Sequence, residues 1–293
     1  MLRIENLRRT FGDVTAVDDV SFTVEPGRMT GFVGANGAGK TTTMRMIMGV
    51  LAIHSGQVEW NGRPITAADR TRFGYMPEER GLYPKQQVLD QLVYLGQLRG
   101  MSQGDARREG VRLLGRFELE GRQKDKLESL SLGNQQRVQI VAALLHRPTA
   151  LILDEPFSGL DPVAVDSMAD LLRERISEGT PVLFSSHQLD LMERLCDNLV
   201  VLSHGRLVAA GDVAELRHQQ QQRHRVVTEP DAGWLRELGG VTVLDVEGPK
   251  AVVEIVDAAT RRTVVEEALK RGGLDEFTPL VPSLSEIYRE VTQ

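Results

Sequence analysis

The stretch Val33–Thr43, VGANGAGKTTT, decides how this chain is read. It sets three glycines, a lysine and three threonines between an apolar run, MTGFV, and a sequence that turns helical, TTMRMIMGVL. A glycine inside a regular element costs roughly 0.5–1 kcal/mol relative to alanine. Repeating it ahead of a helix therefore needs a compensating interaction. Gly34 to Thr41 fits the phosphate-loop spacing G-x-x-x-x-G-K-[ST]. Main-chain N–H groups must wrap a polyphosphate closely, and Cβ atoms at Gly34, Gly37 and Gly39 would obstruct that wrap. The helix beginning near Lys40 adds the positive end of its dipole. Lys40 is then expected to neutralise β- and γ-phosphate oxygens, and Thr41 to offer its hydroxyl to Mg²⁺.

A second segment supplies the matching acids. ALILDEP, Ala150–Pro156, is an apolar strand ending in two carboxylates. The C-terminal ends of parallel strands are where α/β folds bind ligands. Asp154 is placed to hold Mg²⁺ through water, and Glu155 to orient or deprotonate an attacking water.

Composition leaves room for this reading and closes others. With 293 residues the chain is long enough for about two domains. It is 41% hydrophobic and 26% charged, an ordinary globular balance. A net charge of −6 argues against a nucleic-acid partner, which calls for a basic excess. The single cysteine, Cys196, permits no internal disulfide and is expected to be a buried or idle thiol. No signal peptide and no apolar run of spanning length is present, so the expectation is a cytoplasmic protein whose membrane role comes through a partner.

Along the chain, VDDVSFTV alternates as a strand, and GQVEWNGRPI predicts a hairpin turning at Asn61-Gly62. Residues 85–147 change character, with apolar positions three and four apart. They predict a helical insert, closed by Pro148. Strands and helices then alternate to a hairpin at His204-Gly205. This predicts an α/β cassette with a largely parallel sheet over residues 1–216, preceded by antiparallel strands. Residues 217–225, RHQQQQRHR, read as a linker, with His218 and His224 structural. Residues 226–293 predict a small β-α-β-β-α-β, ferredoxin-like unit. A last helix follows, capped by Ser283 or Ser285. Trp60 and Trp234 are expected to be packing residues.

Between the loop and the acids lies LESLSLGNQQRVQI; after them come FSGLDP and LFSSHQLD. In this order the motifs resemble the ATP-binding subunits of ABC transporters, from residue 1 to about 215. The resemblance implies a P-loop NTPase cassette using ATP and Mg²⁺. Phe11 would stack on adenine, although a core aromatic is the alternative. Gly34, Ala35, Asn36, Gly37, Ala38, Gly39, Lys40, Thr41 and Thr42 would bind the phosphates. Ser131 and Gly133 would contact the γ-phosphate held by an opposite protomer, Asp161 would link the two sites, and His187 would contact the γ-phosphate and the attacking water.

Two departures stand out. The family's LSGGQ reads Leu130-Ser131-Leu132-Gly133-Asn134 here, keeping the hydroxyl, the second glycine and an amide at Asn134. Where the family places a glutamine entering the helical insert, YMPEERGLYP has Glu78, which would either ligate the metal or pair with Arg80 away from it. PEERGLYP, LSLGNQQ and a C-terminal extension further resemble the sodium-extrusion branch of ABC-2-type exporters. The implied function is ATP hydrolysis energising export through a separate permease on the inner face of the membrane. A second protomer, a homodimer rather than a heterodimer, would complete each site. The alternative is a non-transport ABC ATPase of translation or DNA repair, against which one cassette and no long heptad run argue. The C-terminal unit is read as a regulatory or dimerisation module.

Overall fold

The computed structural model describes residues 1–79, 81–218, 223–280 and 283–292. Arg80, the centre of the expected linker (219–222) and residues 281–282 lie outside the described residues. The chain divides into two compact units, residues 1–212 and 213–291.

In the first unit, β1 (Leu2–Phe11) and β2 (Val14–Val24) pair antiparallel and lead into β3 (Met29–Val33), which is buried along its length. The phosphate loop follows, then α1 (Lys40–Ile47). The hairpin of β4 (Ser55–Trp60) and β5 (Arg63–Pro64) turns through Asn61 and Gly62 at φ 52° and 78°, the left-handed pair a tight hairpin requires. A short helix that the sequence reading missed, α2 (Ala67–Thr71), starts at a capping box in which Thr66 and Asp69 satisfy each other's backbone N–H groups. Then comes β6 (Phe73–Met76). The insert is three helices, α3 (Val88–Leu98), α4 (Gln103–Arg116) and α5 (Leu132–Leu144), packed on one another over buried Leu92, Leu113, Leu114 and Val138.

The chain re-enters the sheet at β7 (Ala150–Leu153), then runs through α6 (Pro162–Ser177), β8 (Val182–Ser185), α7 (Leu189–Leu195), β9 (Asn198–Ser203) and β10 (Arg206–Asp212). The six-stranded sheet has the order β10-β9-β3-β8-β7-β6, parallel except for its edge strand β10. Strands β3, β7 and β8 are buried at every residue, as a parallel sheet covered on both faces demands. Trp60 packs edge-on against Phe73, with ring centres 4.8 Å apart. Cys196 is enclosed, and burial pushes its thiol pKa up.

The second unit begins with α8 (Val213–His218) and β11 (Arg223–Thr228). Helix and strand therefore take both ends of the segment expected to be a linker. A 3-10 turn at Ala232–Glu237 stands where a first α-helix was expected. Then come β12 (Val241–Glu247), β13 (Lys250–Ile255), α9 (Ala258–Arg271), β14 (Leu274–Leu280) and α10 (Leu284–Thr292). The strand order β12-β13-β11-β14, antiparallel throughout, is the ferredoxin-like arrangement. Val226, Trp234, Leu235, Val253 and Val264 form its own core. His224 is buried against Phe277, and Ser283 caps α10 in a capping box with Glu286.

Candidate active site

Strand β3 ends at Val33, and the chain turns over its carboxyl end. A Cβ on Gly34 would sit 2.6 Å from Leu202 O, and one on Gly39 2.6 Å from Ala16 O. Gly39 also has φ 102° and precedes the first residue of α1. These two glycines are thus required by close approach of backbone. Gly37 (φ 81°) faces open space. The Lys40 ammonium folds back on the loop and donates to Gly34 O at 2.7 Å and to Ala35 O at 3.3 Å. Burial lowers its pKa, while the charges of Glu155, Asp154 and Glu78 oppose that shift. The loop is braced from behind: Gly205 N donates to Ala38 O at 3.1 Å, and Asp18 N to Gly205 O at 2.8 Å.

The acids arrive from β7. Its parallel register with β8 pairs Leu153 with Phe184, so Asp154 and Ser185 come next on the two strands. Ser185 Oγ donates to Asp154 Oδ1 at 2.6 Å and accepts from Glu155 N at 2.8 Å. Asp154 is 1% exposed, and its other oxygen, Oδ2, has no hydrogen-bond partner among the described residues. A buried carboxylate oxygen without a donor is costly, and an incoming cation would satisfy it. Glu155 has φ 49°, a conformation a non-glycine residue holds only against strain. His187 Nδ1 lies 3.0 Å from Glu155 Oε2; since an ionised carboxylate only accepts, the ring must donate there.

Gly37, Ala38, Gly39, Lys40, Asp154 and Glu155 line one cleft of about 380 Å³, together with Phe11, Ala16, Asn36, Thr41, Thr42 and Glu78. Phe11 is 46% exposed and is no core aromatic; the Arg9 guanidinium stands over its ring at 4.9 Å. The Thr41 hydroxyl points to Glu78 Oε2 at 3.5 Å, the long edge of hydrogen bonding. Gly34 and Ala35 meet the site through their carbonyls on Lys40. His187 does not line the cleft and meets the site only through Glu155.

Ser131, Gly133, Asn134 and Asp161 do not line this cleft. Ser131 caps α5 by accepting from Asn134 N at 3.4 Å. A Cβ on Gly133 would meet Gly159 O at 3.0 Å. Asp161 caps α6 through Ala164 N and takes an ion pair from Arg137 Nη2 at 2.6 Å. The Ala164 N–H, then the Arg137 charge, hold its pKa below the usual carboxylate value.

Three residues of this machinery were not read from the sequence. Ser185 is the bridge just described; the matched ends of two adjacent strands were its only signal. Gln136 donates to Glu155 O and Pro156 O at 3.1 and 3.2 Å, and Gln139 to Pro77 O at 2.7 Å. They tie α5 to the acids and to the loop carrying Glu78.

A phosphate loop at the end of one parallel strand, with a buried acid and a left-handed glutamate two strands away, defines a nucleoside triphosphatase of the P-loop kind. Comparison with known proteins narrows the class. Residues 17–158 match the ABC transporter family, and residues 211–292 match the C-terminal domain of DrrA1-3-like ATP-binding proteins. The chain is 39% identical to the uncharacterized ABC transporter ATP-binding protein YhaQ of Bacillus subtilis, over 99% of this chain and 98% of that one. It is 34% identical to the linearmycin resistance ATP-binding protein LnrL of the same organism, over 74% of this chain and 70% of LnrL. A solved ATP binding subunit of an ABC transporter superposes with a TM-score of 0.69 at 34% identity, covering 75% of this chain and 92% of the other. The chain belongs to the ATP-binding subunits of ABC transporters, in the ABC-2-type exporter group. It is a nucleotide-binding ATPase that energises a separate permease.

Proposed function

We propose that the cleft holds ATP with its adenine on Phe11 and its phosphates on the loop, and that Glu155 is the general base. The observation that carries this reading is the unpaired buried Asp154 Oδ2 beside Lys40, Thr41 and Glu155 in a single cleft. Thr41, Asp154 and Glu78 are the residues that would hold Mg²⁺. When bound, the ion supplies positive charge to the β- and γ-phosphate oxygens. Lys40 leaves its two carbonyls for those oxygens, and the loop N–H groups complete the cradle. Glu155 accepts the proton of the water that attacks the γ-phosphorus. His187 fixes the carboxylate through Oε2 and faces the γ-phosphate. Catalysis here is mostly positioning and charge neutralisation.

Ser131, Gly133 and Asn134 serve the γ-phosphate of a second copy of this chain, and Asp161 links the two sites. Their position outside the chain's own cleft supports this assignment. ATP thereby joins two protomers, and hydrolysis releases them. Among the described residues no helix is long and apolar enough to cross a membrane; the proposed location is peripheral, on the cytoplasmic face, against the permease. The relatives' names, linearmycin resistance and Nod factor export, favour outward transport, with the cargo selected by the permease.

The test is Glu155→Gln. Steady-state phosphate release should fall by roughly 10²–10⁴-fold, the scale of a lost general base, while equilibrium ATP binding persists. Near-normal hydrolysis would remove Glu155 from the role.

A further inference from the structure

We propose that Glu78 makes nucleotide capture conditional on a divalent cation, so that the site rejects free ATP and admits its magnesium complex. The inference rests on the reading of the cleft as a magnesium–ATP site.

Three carboxylates, Glu78, Asp154 and Glu155, line the cleft against one ammonium, Lys40. A bare triphosphate adds further negative charge to that imbalance. Asp154 Oδ2, buried and without a donor, already marks a place for a cation. Among the described residues Glu78 is the cleft carboxylate with the weakest hydrogen bond. Asp154 takes the Ser185 hydroxyl and Glu155 takes His187. Glu79, next in sequence, pairs with Arg45 at 3.2 Å. Among the described residues Glu78 makes no ion pair, and only the Lys40 ammonium across the cleft feels its charge; its one hydrogen bond there is the 3.5 Å contact from Thr41.

Its position is nevertheless fixed. Gln139 Nε2 holds Pro77 O at 2.7 Å and reaches Glu79 O at 3.5 Å, while Arg45 holds the Glu79 side chain. The main chain is thus held on both sides of Glu78, whose carboxylate lies 3.5 Å from the Thr41 hydroxyl. Two like charges several ångströms apart repel appreciably at a protein–water boundary. A divalent ion between them reverses the sign of that contribution. The charge therefore acts as a selectivity filter for the form in which the nucleotide arrives.

The experiment measures equilibrium binding of a non-hydrolysable ATP analogue to the full chain, with Mg²⁺ and with EDTA. The wild type, Glu78→Gln and Glu79→Gln are compared. Glu78→Gln should bind the metal-free analogue about tenfold more tightly than wild type, the effect of removing one screened like charge. It should bind the magnesium complex no more tightly than wild type. Glu79→Gln should leave the EDTA-to-Mg²⁺ affinity ratio unchanged. An unchanged ratio in Glu78→Gln, or an equal shift in Glu79→Gln, would overturn the proposal. Failure of the wild type to bind the analogue even with Mg²⁺ would instead bring down the site assignment on which the proposal rests.

Discussion

Burial of His146 gives the molecule a titration that has nothing to do with the chemistry of the cleft. Its Nε2 lies 3.2 Å from Phe73 O. Enclosure first, and the Arg99 charge second, lower its pKa from 6.5 to about 4. The unfolded chain therefore binds this proton more readily than the folded one between those values. Stability is complete above about pH 6.5 and is lost progressively as the pH falls toward 4. One pKa unit corresponds to about 1.4 kcal/mol, so about 2 kcal/mol should disappear between pH 7 and pH 5. His146→Gln cannot take up the proton and should flatten that part of the profile. Chemical denaturation at the two pH values checks this; parallel losses in both proteins would exclude His146 as the source. The depressed carboxylates act lower on the scale. Asp161 and Glu109, held down by Ala164 N–H and by Arg112 respectively, stabilise the fold above the unfolded carboxylate pKa. Their contribution fades only as the pH drops through their lowered values.

Elements also close tightly behind the site at the turn between β9 and β10. Gly205 sits at φ 78°, and a Cβ there would come within 2.8 Å of Ala16 O. Gly62, in the turn between β4 and β5, has the same φ of 78° but nothing within 4 Å of an added Cβ. Substituting alanine at either position forces a left-handed non-glycine residue, at about 1 kcal/mol. Only Gly205→Ala adds a clash with main chain that also braces the phosphate loop. Thermal unfolding should therefore separate the two variants, with Gly205→Ala lower by a further 1–3 kcal/mol or so. Equal losses would show that the brace yields.

The sequence revealed both turns but not this difference. Asn-Gly and His-Gly announce hairpins through backbone preference, whereas the neighbour that closes on Gly205 comes from β2, far away in sequence. The same limit explains Ser185 and Gln139. Phosphate loop, acids and signature are local patterns and were legible as residues. The bridge from Ser185 to Asp154 exists only once β7 and β8 are in register, and the tether from Gln139 only once α5 lies against the loop after β6. The missed helix α2 had a local signal, Thr66 three residues before Asp69, but its five residues are too few for periodicity. The first helix expected in the second unit became a 3-10 turn; Ala232, Trp234 and Leu235 are buried in its six residues.

At the level of the whole molecule, each unit buries its own apolar cluster. Residues 2–207 supply one and residues 226–277 the other. Every residue lining the cleft lies before Asp212. A chain ending at Asp212 should therefore fold and bind nucleotide within a few-fold of the intact protein. A fragment that unfolds, or that no longer binds, would show that the second unit is needed for more than its own stability. Global stability also exposes a conflict lodged in the corner after β7. Glu155 occupies a left-handed backbone that glycine would adopt at no steric cost. Glu155→Gly should melt no lower than wild type, because the release of roughly 1 kcal/mol of strain offsets the hydrogen bond to His187 that is lost. It should also be inert as an ATPase. A chain selected for durability alone would give that position up; one that must turn over nucleotide tolerates the weaker scaffold.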